Sequence, residues 1–116
     1  MVDFKLVIKH EGQIFKVAVL MRPYLKHFLD EMTKIYECVF FTASVEQYAN
    51  KVLDQIDPEG KVKYRLYRNH CEMIEGSYVK NLSLINRPLD KIIILDNSPI
   101  AYSLHPENAI PVRSWY

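Results

Sequence analysis

Apolar and polar positions alternate over residues 3–10 and 14–20, DFKLVIKH and IFKVAVL, on either side of a short polar connector, His10-Glu11-Gly12-Gln13. Period-two alternation flanking a glycine-bearing connector predicts a β-hairpin. The period then changes. Leu25, Phe28, Leu29, Met32 and Ile35 recur at helical spacing, so a helix is expected to open with Pro23 at its first position and to run to about Tyr36. ECVFFTAS is a short continuous apolar run and reads as a strand buried on both faces. Ser44-Val45-Glu46-Gln47 fits a capping box that starts a second helix, running to about Ile56 and broken by Asp57-Pro58-Glu59-Gly60.

Alternation returns at 62–68, with Val62, Tyr64 and Leu66 on one face and Lys61, Lys63 and Arg65 on a wet, basic one. Cys71–Ile74 and Tyr78–Lys80 flank Glu75-Gly76-Ser77 as a second, weaker hairpin. Lys91-Ile92-Ile93-Ile94-Leu95 is the clearest buried parallel strand, ending at Asp96-Asn97-Ser98-Pro99, where Ser98 is expected to cap a short Pro-started helix. Ala109–Val112 reads as a last short strand. Strands alternating with helices give an α/β chain with a parallel sheet. In such sheets ligands gather beyond the carboxyl ends of the strands. Two strands carry polar clusters there, Thr42-Ala43-Ser44 and Asp96-Asn97-Ser98.

Composition narrows the function classes. The 116 residues are 49% apolar and 25% charged, and 15 Lys plus Arg against 14 Asp plus Glu leave a net charge of +1. That balance argues against a polybasic nucleic-acid binder or a lipid-surface protein and leaves room only for a local basic patch. No stretch approaches the roughly 18 apolar residues of a membrane span. The start carries charge throughout and lacks the apolar region of a signal peptide. Cys38 and Cys71 make neither a disulfide framework nor a zinc spacing, which suits a reducing compartment such as nucleus or cytoplasm. His10, His27, His70 and His105 have no ligand spacing, and three glycines make no phosphate-binding loop.

The polar clusters suggest one chemistry. A hydroxyl at a strand end beside a helix N-terminus donates well to phosphate oxygens. An Asp-Asn pair offers hard oxygens suited to Mg²⁺. Lys80, lying between the clusters in sequence, would supply the point charge that phosphate requires. Each residue also has a plain reading. Thr42 and Ser44 serve as strand filler and helix cap, Asp96-Asn97 as a turn, Lys80 as a solvated charge.

Order and flanks turn these signals into a resemblance. Arg22-Pro23, ECVFFTASVEQYANKVLDQID, RLYRNHCEMIEGSYVKNLS and KIIILDNSPIAYSLHPENAIPVRSW together resemble the small C-terminal-domain phosphatases and their Dullard-type relatives in the haloacid dehalogenase superfamily. The likeness spans about Val2 to Trp115, so 1–116 is expected to be a single domain of that kind. It implies a Rossmannoid parallel sheet with an N-terminal hairpin and Mg²⁺-dependent dephosphorylation of phosphoserine or phosphothreonine in proteins such as the RNA polymerase II tail. The family reaction runs through an aspartyl-phosphate, one Asp attacking and another, two residues on, acting as general acid and base. By position, Thr42 matches the phosphate-binding Thr, Lys80 the phosphate-clamping Lys, Asn97 the Mg²⁺ ligand and Asp96 the acidic neighbour supporting metal and Lys. Arg68 matches an Arg lining the substrate groove, and Tyr48, Val45, Ile8 and Val17 an apolar pocket for residues flanking the phosphate. His10 replaces a usual aliphatic residue of that pocket, and Asn50 a usual Asp.

The resemblance also carries a departure. The family's D-x-D-x-T should precede the first hairpin, yet the six aspartates, Asp3, Asp30, Asp54, Asp57, Asp90 and Asp96, include no D-x-D pair. The expectation is therefore an incomplete, truncated sheet, without its first central strand and C-terminal helix. Its exposed edges would take a strand from another chain or from a second copy. Such a chain would lack a nucleophile and bind Mg²⁺ weakly or not at all. It is expected to be either part of an active phosphatase or an inactive phosphoprotein- or peptide-binding module, as in the mitochondrial import receptor subunit of the same fold.

Overall fold

The two alternating runs fold back on each other as an antiparallel hairpin, Phe4–His10 (β1) and Gln13–Val19 (β2), in a computed structural model that describes residues 3–116. Glu11 at φ 50° and Gly12 at φ 76° form the connector. Paired positive angles are those of a type I′ turn, whose twist matches that of the strands. Leu6 lies opposite Val17 and Ile8 opposite Phe15. Phe4, Leu6, Ile8, Val17 and Val19 make a half-buried face, while Lys5, Val7, Lys9, Ile14, Lys16 and Ala18 point out to solvent.

Contacts divide the chain into two compact units, one ending at Tyr67 and the other comprising Arg68–Tyr116. In the first, helix α1 spans Leu25–Ile35 and starts from Tyr24 in the left-handed region at φ 68°. Pro23 thus belongs to the turn before the helix instead of opening it. Of the expected apolar stripe only Leu29 is buried, and Phe28 and Ile35 are exposed.

Val39–Phe41 (β3), Glu46–Ile56 (α2) and Tyr64–Leu66 (β4) form a βαβ unit, with Val39 opposite Tyr64 and Phe41 opposite Leu66 in parallel register. Ala49 and Leu53 of α2 close with Tyr67 into a buried cluster against which Phe40 packs. β3 is half-buried along its length, not buried on both faces, and among the described residues β4 is its one ladder partner. The helix N-cap is Val45, without a side-chain cap. Ser44 instead donates its backbone N–H to Thr42 Oγ1 at 3.0 Å, so the expected capping box gives way to a turn that ends the strand.

Asp57 does more than break the helix. Its buried carboxylate accepts the N–H groups of Lys61 at 3.0 Å and Val62 at 2.8 Å, folding the loop so that Val62 is buried. The predicted strand at 62–68 shrinks to Tyr64–Leu66, and Tyr64 faces outward. Arg65 leaves the wet face assigned to it. Its Nη1 donates to Asn50 Oδ1 at 3.0 Å and Asp54 Oδ1 at 2.8 Å, binding β4 to α2. Lys51 Nζ donates to the Val7 carbonyl at 2.7 Å and fastens α2 to β1.

The second unit opens with a 3-10 turn at Arg68–His70 and the hairpin Glu72–Ile74 (β5) and Ser77–Val79 (β6). Its connector repeats the first, with Glu75 at φ 50° and Gly76 at φ 80°. Ile94–Asp96 (β7) and Ala109–Pro111 (β8) pair in parallel. The aliphatic run at 91–95 is therefore strand only from Ile94. Leu89–Lys91 is a 3-10 turn, and Asn108 Nδ2 occupies the carbonyls of Leu89 at 2.7 Å and Ile92 at 2.9 Å. Ile94 is buried, but Ile93 and Leu95 are 53% and 47% exposed, so β7 is covered on one face and not on both. After Asp96 successive turns replace the expected short helix, with Ala101 N–H on the Ser98 carbonyl at 3.1 Å and Ser103 N–H on that of Ile100 at 3.2 Å. Val79, Leu82, Ile94 and Ala101 are the buried apolar residues of this unit. Among the described residues no helix is long and apolar enough to cross a membrane.

Candidate functional site

Lys80 follows β6 directly, and its backbone N–H is held by the Ala101 carbonyl at 2.8 Å. Its ammonium lies 2.5 Å from Asp96 Oδ2, and the two side chains are only 11% and 9% exposed. Asp96 ends β7, where its carbonyl accepts the Val112 N–H at 3.2 Å. Its other carboxylate oxygen accepts the Ser98 N–H at 2.9 Å. Removing a lone ammonium or carboxylate from water costs several kcal/mol, so each buried charge depends on the other. Lys80 is accordingly not a solvated charge, and Asp96 is more than a turn residue.

Around the pair, Asn97 is exposed and donates through Nδ2 to Ser114 Oγ at 2.8 Å. Arg68 is exposed with its guanidinium carbon 4.8 Å from the centroid of the Tyr78 ring, a cation–π contact on the strand that leads to Lys80. Cys71 is within electrostatic reach of Lys80, Arg68 and Asp96. Burial pushes its thiol up, and Asp96 adds to this against the pull of Lys80 and Arg68.

A second polar cluster lies next to Lys80 in sequence. Asn81 Nδ2 donates to Glu72 Oε1 at 2.8 Å, which makes Oδ1 the acceptor for Ser83 N–H at 3.0 Å and Ser83 Oγ–H at 2.6 Å. The same oxygen lies 3.1 Å from Nε2 of the buried His105 and, being an amide oxygen, accepts from it. Asn81 thereby joins the hairpin to the segment before β8. Only the Asn81-to-Ser83 turn had a local signal; its link to His105 had none.

The other predicted site residues belong to the first unit. Thr42 is half-buried at the end of β3 and donates its N–H to the Leu66 carbonyl at 2.9 Å. Because its hydroxyl oxygen accepts from Ser44, the hydroxyl proton is left to donate. Val45 is exposed at the N-cap of α2, and Tyr48 is half-buried in its first turn. Ile8 and Val17 share the half-buried hairpin face.

Among the described residues no group of three or more His, Cys, Asp and Glu side chains could hold a metal ion. Asp96 and Asn97 offer one carboxylate, already bonded at both oxygens, and one amide oxygen. Mg²⁺ takes an octahedron of oxygens. By themselves these residues do not fit it.

Residues 2–116 match the family described as NLI interacting factor-like phosphatase. The chain is 47% identical over 114 residues to the human CTD small phosphatase-like protein, covering 98% of this chain and 41% of that protein. It is 49% identical to the human carboxy-terminal domain RNA polymerase II polypeptide A small phosphatase 2, with 98% and 42% covered. To Saccharomyces cerevisiae phosphatase PSR1 it is 46% identical, with 98% and 27% covered. The chain thus spans less than half the length of these relatives. In structure it is similar to Fcp1, an essential RNA polymerase II CTD phosphatase, with a TM-score of 0.76 and 26% identity over 94% of this chain and 30% of that one.

Proposed function

Since the chain belongs to the NLI interacting factor-like phosphatase family, we propose that residues 1–116 supply the phosphate grip of a protein serine/threonine phosphatase. The buried Lys80–Asp96 pair carries this reading. A buried ion pair is seldom the most stable filling for its space, and an apolar pair of the same volume often does as well or better. An ammonium fixed by a carboxylate at a strand end is instead suited to meet an incoming phosphate, whose oxygens attract it strongly. By the family resemblance, and not by placement, Thr42 is assigned a phosphate-donor role and Arg68, Tyr48, Val45, Ile8 and Val17 the recognition of residues flanking the phosphate. The substrate class is a phosphoserine or phosphothreonine protein, in keeping with the names of the RNA polymerase II tail phosphatases among the relatives. Asn97 and Asp96 would be part of a Mg²⁺ shell completed by other groups.

Hydrolysis through an aspartyl-phosphate needs a carboxylate pair, and the six aspartates here contain no D-x-D. The chain by itself therefore binds a phosphopeptide without turning it over. A second reading, an inactive phosphoprotein-binding module, uses the same Lys80–Asp96 grip without hydrolysis.

The test uses purified 1–116, Mg²⁺ and matched phosphorylated and unphosphorylated serine peptides. Expected are phosphate-dependent binding, its loss in the charge-balanced double variant Lys80→Met/Asp96→Asn, and phosphate release at the background rate. Turnover that the double variant abolishes would sink the claim that no nucleophile is present. Equal binding of both peptides would remove the phosphate grip. A D-x-D-x-T in the coding sequence upstream of Met1 favours the phosphatase reading, and its absence favours the module.

A further inference from the structure

The outward face of the first hairpin carries a regular charge pattern that the phosphate site does not use. Its three cross-strand levels are Lys5 opposite Ala18, Val7 opposite Lys16, and Lys9 opposite Ile14. Every level thus presents one ammonium beside one apolar side chain, and the ammonium changes strand from level to level. All six residues are exposed, Val7 to 51% and Ile14 to 63%. Among the described residues none of the three lysines has a carboxylate within ion-pair distance. The nearest acids in sequence have other partners. Asp3 accepts the Met21 N–H at 2.6 Å, and Glu11 sits in the turn beside His10 at 3.6 Å. Lys51, bonded to the Val7 carbonyl at 2.7 Å, adds a fourth cation at the edge of the middle level.

Along the strand direction the levels are about 7 Å apart, twice the rise per residue of an extended chain. Adjacent strands are about 4.8 Å apart, so the three ammonium stems follow a shallow zigzag. A peptide lying extended along this face presents the same side of its backbone at every second residue. Its anionic groups at alternate positions then meet one lysine per level, and Ala18, Val7 and Ile14 receive its aliphatic stems. We propose that this face docks an extended acidic segment of a partner protein, with Asp or Glu at every second residue. A lipid surface has no such period and gains nothing from the alternation, so the register favours a peptide.

The experiment follows fluorescence anisotropy of the full chain with two labelled peptides of one composition. One has Glu at alternate positions, and the other has its Glu residues contiguous. Preference for the alternating peptide is expected, with affinity falling as salt rises. The triple variant Lys5→Glu/Lys9→Glu/Lys16→Glu should weaken it about tenfold or more. Single Lys16→Glu, at the middle level, should weaken it by a smaller factor and keeps the test alive if the triple variant misfolds. Lys63→Glu, an equal charge change off the hairpin, and Lys80→Met/Asp96→Asn should leave it unchanged, which separates this face from the phosphate grip. Equal affinity for the two peptides, or equal loss in Lys63→Glu, would overturn the proposal. So would co-sedimentation with phosphatidylserine vesicles when neither peptide binds.

Discussion

The Tyr67 hydroxyl donates to Asn50 Oδ1 across 2.5 Å, joining the residue after β4 to the middle of α2. The same oxygen accepts Arg65 Nη1 at 3.0 Å, so one amide holds both side chains that cross from the strand to the helix. Tyr67→Phe removes one neutral hydrogen bond and should cost about 1 kcal/mol. Asn50→Leu removes the acceptor of both and should cost about 2 kcal/mol or more. Because the residues share one oxygen, the double variant should cost less than the sum of the singles. Urea unfolding of the four proteins measures all three quantities.

Lys80→Met leaves the Asp96 carboxylate buried without its cation. Breaking such a pair costs about 3–5 kcal/mol, a large part of a total stability of roughly 5–15 kcal/mol. Asp96→Asn in the same chain removes the orphan charge and keeps an oxygen for the Ser98 N–H. Thermal unfolding should therefore show the double variant more stable than Lys80→Met alone.

The exposed pair Asp30–Lys61, 2.6 Å apart, gives a pH signature. The hydrogen bond from Lys61 holds the Asp30 carboxyl below its usual range, and the same bond raises Lys61. A carboxyl lowered on folding contributes stability above its unfolded pKa of about 4, and the contribution is lost as pH falls through the folded value. A lysine raised on folding contributes below its unfolded pKa of about 10.4 and loses that contribution as pH rises through the folded value. The urea midpoints of wild type and Asp30→Asn should differ by a constant amount near neutral pH and converge in acid. High salt should narrow the gap throughout.

Asn81→Ala removes the partner of Glu72, Ser83 and His105 together. The loss should be about 2–4 kcal/mol, because His105 Nε2–H is buried and must find another acceptor. Amide exchange should quicken first at Ser77–Val79 and at the segment before β8. Uniform quickening over the whole chain would show that Asn81 supports overall stability instead of joining these two segments.

What the sequence disclosed follows the range of the interaction concerned. Both hairpins and the first helix were legible, since glycine-bearing turns and helical apolar spacing act within a few residues. The second helix was expected at nearly its observed span from a capping box that does not form. The expected Ser44 capping box fails because Thr42 Oγ1, two residues back, accepts the Ser44 N–H that Gln47 would otherwise take. The aliphatic run ending in Leu95 reads as buried on both faces, but exposure depends on what lies over a strand, which the strand's own pattern does not encode. Lys80 and Asp96 were each visible as polar residues at the ends of apolar runs. Their pairing was visible only through the order of motifs, and the Asn81–His105 bond left no trace because its partners lie far apart in the chain. Arg65, placed by alternation on a wet face, was redirected by Asn50 and Asp54 on the neighbouring helix.

The identical Glu-Gly connectors also impose an order in time. Hairpins of this kind form in about 1–10 μs from their own turn, whereas a parallel pair also needs the crossover between its strands in place. The β5–β6 hairpin, and with it Lys80, is thus set while the ammonium is still hydrated, and β7 brings Asp96 only when it pairs with β8. Pulse-labelled amide exchange should protect Ser77–Val79 before Ile94–Asp96. The last event in this unit is then the expulsion of water from two opposite charges, which makes its refolding rate, and not only its stability, sensitive to salt.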